Sequence, residues 1–375
     1  MEHKELLEQF TFKNGVKIKN RVVMAPMTTW SSNDDYTISD EEVTYYKKRV
    51  NGVGMVITGC TQVLENGIGF TNEFAGYSDK FTDSLRKLAD AAKSGGAPAV
   101  LQIFHAGNKA LPQLIKNGEV VSASAIKTPK TAFTESLVPK ELSEEEIKEV
   151  IHAFGETTRR AIEAGFDGVE IHGAHGFLIQ NFLSPYYNKR EDKWGGSLEN
   201  RMRFGLALVD EVKSIIKKYS KKPFILGYRI SLEESQEGGL RIDDSYEYID
   251  ELIKKDIDYL HISLDKALES KPVESKDNQT YLELTVKKVN NRVPLIAAGS
   301  LVTPEDVSKA LEKGLTLAAI GHTLIMNPDW VEKVEENKTS EIKKALNPSE
   351  VKELKIPEKL WTVIKNSGNW FNIEE

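Results

Sequence analysis

These 375 residues contain one cysteine, Cys60. A lone thiol excludes an internal disulfide, a Cys-ligated iron–sulfur cluster and a Cys-rich zinc site. Positive charge is also scarce: Lys and Arg number 50 against 57 Asp and Glu, for a net charge of −7. Without a basic block, the chain is a poor partner for nucleic acid or for an anionic membrane surface. No apolar run approaches the length of a membrane span, and the opening residues, MEHKELLEQF, carry no signal core. Ser/Pro/Gly-rich linkers are missing too, so 1–375 reads as one domain, with 40% hydrophobic residues to fill its core. The expectation is a soluble, cytoplasmic, globular protein, with a homo-oligomer left open.

What is present is a repeat. Short apolar runs, each followed by a helical pattern, recur eight times: RVVMAPM (21–27), VGMVITG (53–59), PAVLQIF (98–104), GVEIH (168–172), PFILGYRIS (223–231), DYLHISL (258–264), VPLIAAG (293–299) and LTLAAIG (315–321). Runs this short and this apolar suit parallel strands covered on both sides. The intervening helices are expected at 39–50, 79–94, 143–164, 197–219, 243–255, near 281–290, at 304–313 and near 328–336, several opened by capping residues such as Ser39 and Ser143. Alternating strand–helix units build either an open doubly wound sheet or a closed barrel. Eight units, with no dinucleotide glycine fingerprint after the first strand, favour the α/β class as a (β/α)8 TIM barrel. Residues 1–20, with Asn14-Gly15 between alternating segments, read as an N-terminal hairpin that plugs the barrel bottom. The connection after strand three, 106–142, is long enough for a lid or subdomain, and the tail 340–375 has no assignable role.

In this fold the chemistry sits at the C-terminal ends of the strands. Those ends bring out Pro26, Met27, Thr28, Cys60, Gln102, His105, His172, His175, Arg229, Ser263, Gly299, Ser300, Gly321 and His322. His172 and His175, three residues apart where strand four breaks, suit convergence on one small polar atom, or else merely satisfy local hydrogen bonds. On strand five the alternation turns Arg229 inward, where a guanidinium needs a partner. That partner is either Glu170 on the neighbouring strand or an anionic ligand, and Gly227 beside it reads as space kept for the ligand. The turns AAGS (297–300) and AIGH (319–322) suit a phosphate site.

Several of these segments, in order, resemble the Old Yellow Enzyme family of FMN-dependent NAD(P)H oxidoreductases. They are NRVVMAPMT (20–28), GMVITGCTQV (54–63), VLQIFHAG (100–107), HGAHGFLIQNFLSPYYNKREDKWGGSLENRMRF (172–204), LIAAGSLVTPEDV (295–307) and LAAIGHTLIMNPDW (317–330). The resemblance implies non-covalent FMN at the barrel top, with NADH or NADPH as co-substrate. Ala25, Pro26, Met27 and Thr28 would line the flavin, Cys60 and Gln102 would contact its ring, and Arg229 would sit at its electron-rich edge. Gly299, Ser300, Gly321 and His322 would hold the phosphate. His172 and His175 would be the catalytic pair, donating hydrogen bonds to the carbonyl or nitro oxygen of a small-molecule electrophile, with Trp30 and Phe177 as substrate walls.

Against that family, Phe177 stands where a proton-donating tyrosine is usual, leaving Tyr36, Tyr186 or Tyr187 as candidate replacements. His322 replaces a phosphate-loop arginine, and Cys60 a small residue. The implied activity is hydride transfer from NAD(P)H through flavin to an enone, nitro compound or quinone, in ping-pong order. Two alternatives remain at this stage: a flavin-binding member with weak or lost ene reduction, and a phosphate-binding lyase or isomerase on the same barrel.

Overall fold

The computed structural model describes residues 3–131, 134–275 and 278–374. Met1, Glu2 and Glu375, at the edges of the expected cap and tail, lie outside the described residues, as do 132–133 in the long connection. The eight apolar runs form strands: β1 (Val22–Met24), β2 (Met55–Ile57), β3 (Ala99–Phe104), β4 (Gly168–Gly173), β5 (Ile225–Ile230), β6 (Tyr259–Ser263), β7 (Leu295–Ala298) and β8 (Leu317–Ile320). Every neighbouring pair is parallel. β8 pairs with β1, which closes the ring. This is the (β/α)8 barrel that the repeat predicts.

Helix starts follow the capping chemistry. Ser39, Ser143, Thr280 and Thr303 each accept a hydrogen bond from the backbone N–H three residues on, and an acid at that position reaches back to the cap. The eighth unit has the expected helix, at Trp330–Glu335, and adds a short one before it, His322–Met326, the two separated by Asn327, Pro328 and Asp329. Proline, which has no N–H to donate, stops the first piece from continuing.

The bottom of the barrel is filled by the hairpin Phe10–Thr11/Lys17–Ile18. Gly15 makes the turn at φ 91°, a conformation costly for other residues. The hairpin inserts Phe12 and Ile18 among Val23, Met55, Val100, Ile225, Ile296 and Leu317. At the other end, the connection after β3 builds a small core of its own, in which Ile68, Phe104, Ala110, Ile115, Val120 and Phe177 pack together. The tail is not an appendage. Arg49, fully buried, donates to the Leu354 carbonyl, and Leu346 pairs with Ile373. Among the described residues, no helix is long and apolar enough to cross a membrane.

Candidate active site

Strand register builds the site in two rows. Gln102, Glu170, Gly227 and Tyr259 lie side by side on β3, β4, β5 and β6. Two residues further along, and so on the same inward face, come His172, Arg229 and His261. The lower row centres on the Glu170 carboxylate, which is completely buried. It accepts hydrogen bonds from Gln102 Nε2 at 2.7 Å, Tyr259 OH at 2.9 Å and His261 Nδ1 at 2.8 Å. Burial alone would raise its pKa, but His261, Arg229 and Gln102 outweigh that and hold it below the usual value.

Gly227 is explained by this row and not by a ligand. A Cβ there would stand 2.0 Å from Tyr259 Cζ, so the glycine lets the tyrosine ring cross β5 to reach Glu170. The space read as kept for a ligand belongs to Tyr259.

Of the two partners open to Arg229, Glu170 is not the one it takes: it forms no ion pair with Glu170 among the described contacts. It is 6% exposed, and Nη2 donates to Ser263 Oγ at 3.0 Å. Its Nε is buried without a hydrogen-bond partner. Burial lowers its pKa, with Glu170 and Tyr259 opposing, yet a guanidinium keeps its charge in proteins. Ser263 Oγ lies 2.6 Å from His175 Nε2, which links the arginine to the second histidine. The rings of His172 and His175 meet edge-to-face at 4.9 Å, and both histidines are kept neutral. Desolvation pushes their pKa values well below the usual range, helped for His172 by His175 and for both by Arg229. His172 Nδ1 accepts from the Ala174 N–H at 3.3 Å, so its proton belongs on Nε2.

These groups face one cavity of about 770 Å³ at the top of the barrel, within the range of cofactor and ligand sites. The fifteen residues to which the family resemblance gives a role all line it: Ala25, Pro26, Met27, Thr28, Trp30, Cys60, Gln102, His172, His175, Phe177, Arg229, Gly299, Ser300, Gly321 and His322. Cys60 is a thiol, not a thiolate, since burial pushes its pKa well above normal; its sulfur lies 3.4 Å from Thr28 Oγ1. Gly299 adopts φ 154°, and a Cβ there would meet the Leu264 carbonyl oxygen at 2.7 Å. His322 is neutral as well, its pKa brought down to about 4 by burial.

The structure leaves some expectations outside the cavity. His105 is turned away, its Nδ1 accepting from the Gly107 N–H. Tyr36, Tyr186 and Tyr187 do not reach the cavity, and no tyrosine or lysine of the described residues lines it. Sequence reasoning missed Phe70, Asp265, Leu360 and Trp370, all of which do. Phe70 sits in a turn fixed by the buried Glu73 carboxylate, which accepts from the Gly69 and Phe70 N–H groups. Among the described residues, no group of three or more His, Cys, Asp or Glu is placed to hold a metal ion.

The sequence profile of the NADH:flavin oxidoreductase / NADH oxidase family matches residues 5–341. The chain belongs to this family. It is an FMN-dependent oxidoreductase that uses NAD(P)H, and the Old Yellow Enzyme resemblance holds. A probable NADH-dependent flavin oxidoreductase of Bacillus subtilis, YqiG, is 42% identical over 371 residues, covering 98% of each chain. The NADH:fumarate oxidoreductase of Klebsiella pneumoniae is 37% identical over 96% of this family member, which spans 39% of that longer protein. Among solved structures, the Old Yellow Enzyme homologue of Zymomonas mobilis superposes with a TM-score of 0.77 at 25% identity, covering 89% of this chain and 93% of its own.

Proposed function

We propose that FMN lies on the floor formed by Gln102 and Arg229, and that NAD(P)H and then a small electrophile occupy the space above it in turn. The observation that carries this reading is Arg229, a buried cation aimed at the cavity with an unpartnered Nε and no carboxylate bonded to it. Such a group calls for an anionic or electron-rich ligand edge. Gln102 gives its amide N–H to Glu170, which leaves its amide oxygen to accept from a ligand N–H. When bound, FMN supplies the redox step, taking hydride from NAD(P)H and passing it on.

The protein's own groups then orient the second ligand. His172 offers its Nε2–H to a carbonyl or nitro oxygen, polarising the acceptor as electron density arrives. His175 is held against Ser263 and shapes the opposite side of that oxygen site. Since one cavity serves both partners, turnover follows a ping-pong order.

Phe177 decides between acceptor classes. Its ring is 5.1 Å from that of His172 and offers no proton. Nitro compounds and quinones take hydride without protonation at carbon, so they are the preferred acceptors and enones the slower ones. A flavoprotein with no ene reduction at all is the second reading, favoured by the same residue.

The test is direct. Purified protein is expected to be yellow, to bleach anaerobically with NADH or NADPH, and to recolour faster with a quinone than with an enone. A colourless preparation that takes up no FMN would end the reading.

A further inference from the structure

Resting on that reading, we propose that Trp370 is a ligand-binding residue: backed by Phe371, it forms with Trp30 and His322 the outer wall of the site and retains the flavin. Trp370 lines the cavity, although 50 residues separate it from the last residue of β8, Ile320. Its ring meets Trp30 edge-to-face at 5.8 Å and His322 at 4.9 Å. Phe371 lies tilted over His322 at 4.3 Å and is 5% exposed. Trp370 itself is 38% exposed, so it presents a broad flat surface at a cavity wall, the kind of surface a planar ligand covers.

The segment is held in place just past Phe371. The Leu346 N–H donates to the Asn372 carbonyl at 2.8 Å and the Glu374 N–H to the Leu346 carbonyl at 3.0 Å. Asn372 Nδ2 reaches the Lys344 carbonyl at 2.9 Å. Residue 343 is tied in turn to the barrel's eighth unit, through Lys343 N–H to Asn327 Oδ1 at 2.8 Å. Trp370 is therefore positioned by the fold.

The reason the site needs this wall is chemical. Arg229 is the only lysine or arginine among the described residues lining the cavity, and it sits on the floor in the same row as His172 and His261. His322, in the turn after β8, is neutral and spends its faces on Phe371 and Trp370. With no second cation to grip a phosphate, retention falls to aromatic packing, and the tail supplies the packing partner.

The experiment titrates FMN into the apoproteins of wild type, Trp370→Ala, Trp370→Phe and Phe371→Ala. It follows flavin fluorescence quenching and records each apoprotein's thermal unfolding. Trp370→Ala is expected to bind FMN roughly tenfold more weakly or worse, with Trp370→Phe restoring most of the loss and the melting of both Trp370 apoproteins unchanged, whereas Phe371→Ala, which empties a buried site, should lose affinity and melting temperature together. Wild-type affinity in Trp370→Ala overturns the proposal. So does a loss of affinity there that tracks a fall in apoprotein melting and is not rescued by phenylalanine. A wild-type apoprotein that takes no FMN overturns the flavin reading itself, and the proposal with it.

Discussion

The two ends of the barrel are made by the same eight strands and behave as different materials. Below the Glu170 row the interior is an apolar plug: Phe12 and Ile18 of the hairpin fill it among Val23, Met55, Ile225 and Leu317, each at most 2% exposed. Above it the inward positions are Arg229, His172 and His261, and two of their nitrogens, Arg229 Nε and His261 Nε2, are buried with no partner. Cohesion is concentrated in the lower half and unmet hydrogen-bonding capacity in the upper half. A stable floor lets the upper rim carry groups that contribute little to folding.

The sharpest way to break this contrast is a pair of substitutions. Phe12→Ala should lower unfolding free energy by about 3–5 kcal/mol and leave FMN affinity as it was. Arg229→Met should weaken FMN binding more than tenfold, the scale of a lost charge-assisted hydrogen bond, with no loss of stability in denaturant titrations. If Arg229→Met unfolds the protein and Phe12→Ala does not, the division is wrong.

The rim should also be the pH-sensitive half. Glu42, completely buried, holds the turn that carries Trp30 by accepting from Thr29 Oγ1 at 2.5 Å and from Ser32 Oγ at 3.1 Å. Burial lifts its pKa to about 7. The folded state therefore keeps a proton that the unfolded chain releases, so stability falls as pH rises from about 4.5 to 7 and levels off above that. The change is on the order of 3 kcal/mol, and Glu42→Gln should flatten that part of the stability profile. An unchanged slope in the variant would remove Glu42 from the account.

Smaller effects are expected in the ligand space. Phe177→Tyr should raise the rate of flavin reoxidation by an enone roughly tenfold to a hundredfold, the lower range for a positioned proton donor, and leave reduction by NAD(P)H nearly unchanged. Fast enone turnover in the wild type, untouched by the change, would refute the idea of a missing donor. Replacing both His172 and His175 by alanine should weaken a phenol ligand by roughly tenfold, about one hydrogen bond's worth. Because both rings stay neutral, phenol affinity should not change between pH 6 and 8 until the phenol itself ionises; a histidine-like step in that interval would contradict their burial.

The strands, and the strand ends that line the cavity, were legible because the fold's repeat is local. An apolar run, a turn and a cap lie within about thirty residues, and the fifteen residues given a role by the resemblance all face one cavity. What sequence could not show depended on lateral neighbours. Gly227 looked like room for a ligand because Tyr259 enters its space from the next strand, and only register reveals that. The choice of partner for Arg229, Glu170 or a ligand, stayed open for the same reason, and the structure shows Tyr259, His261 and Gln102 already satisfying the carboxylate. Trp370 carried no signal at all, since its place depends on the pairing of Leu346 with Ile373.

The Glu170 row has one more consequence. An ionised carboxylate can only accept, so His261 must carry its proton on Nδ1 and face its other nitrogen elsewhere as a bare lone pair. The tyrosine and glutamine around it are likewise committed donors, which gives the partition a single proton arrangement. Glu170, His261 and Tyr259 are all fully buried, so the folded barrel shields this arrangement from bulk solvent and keeps it the same from one molecule to the next.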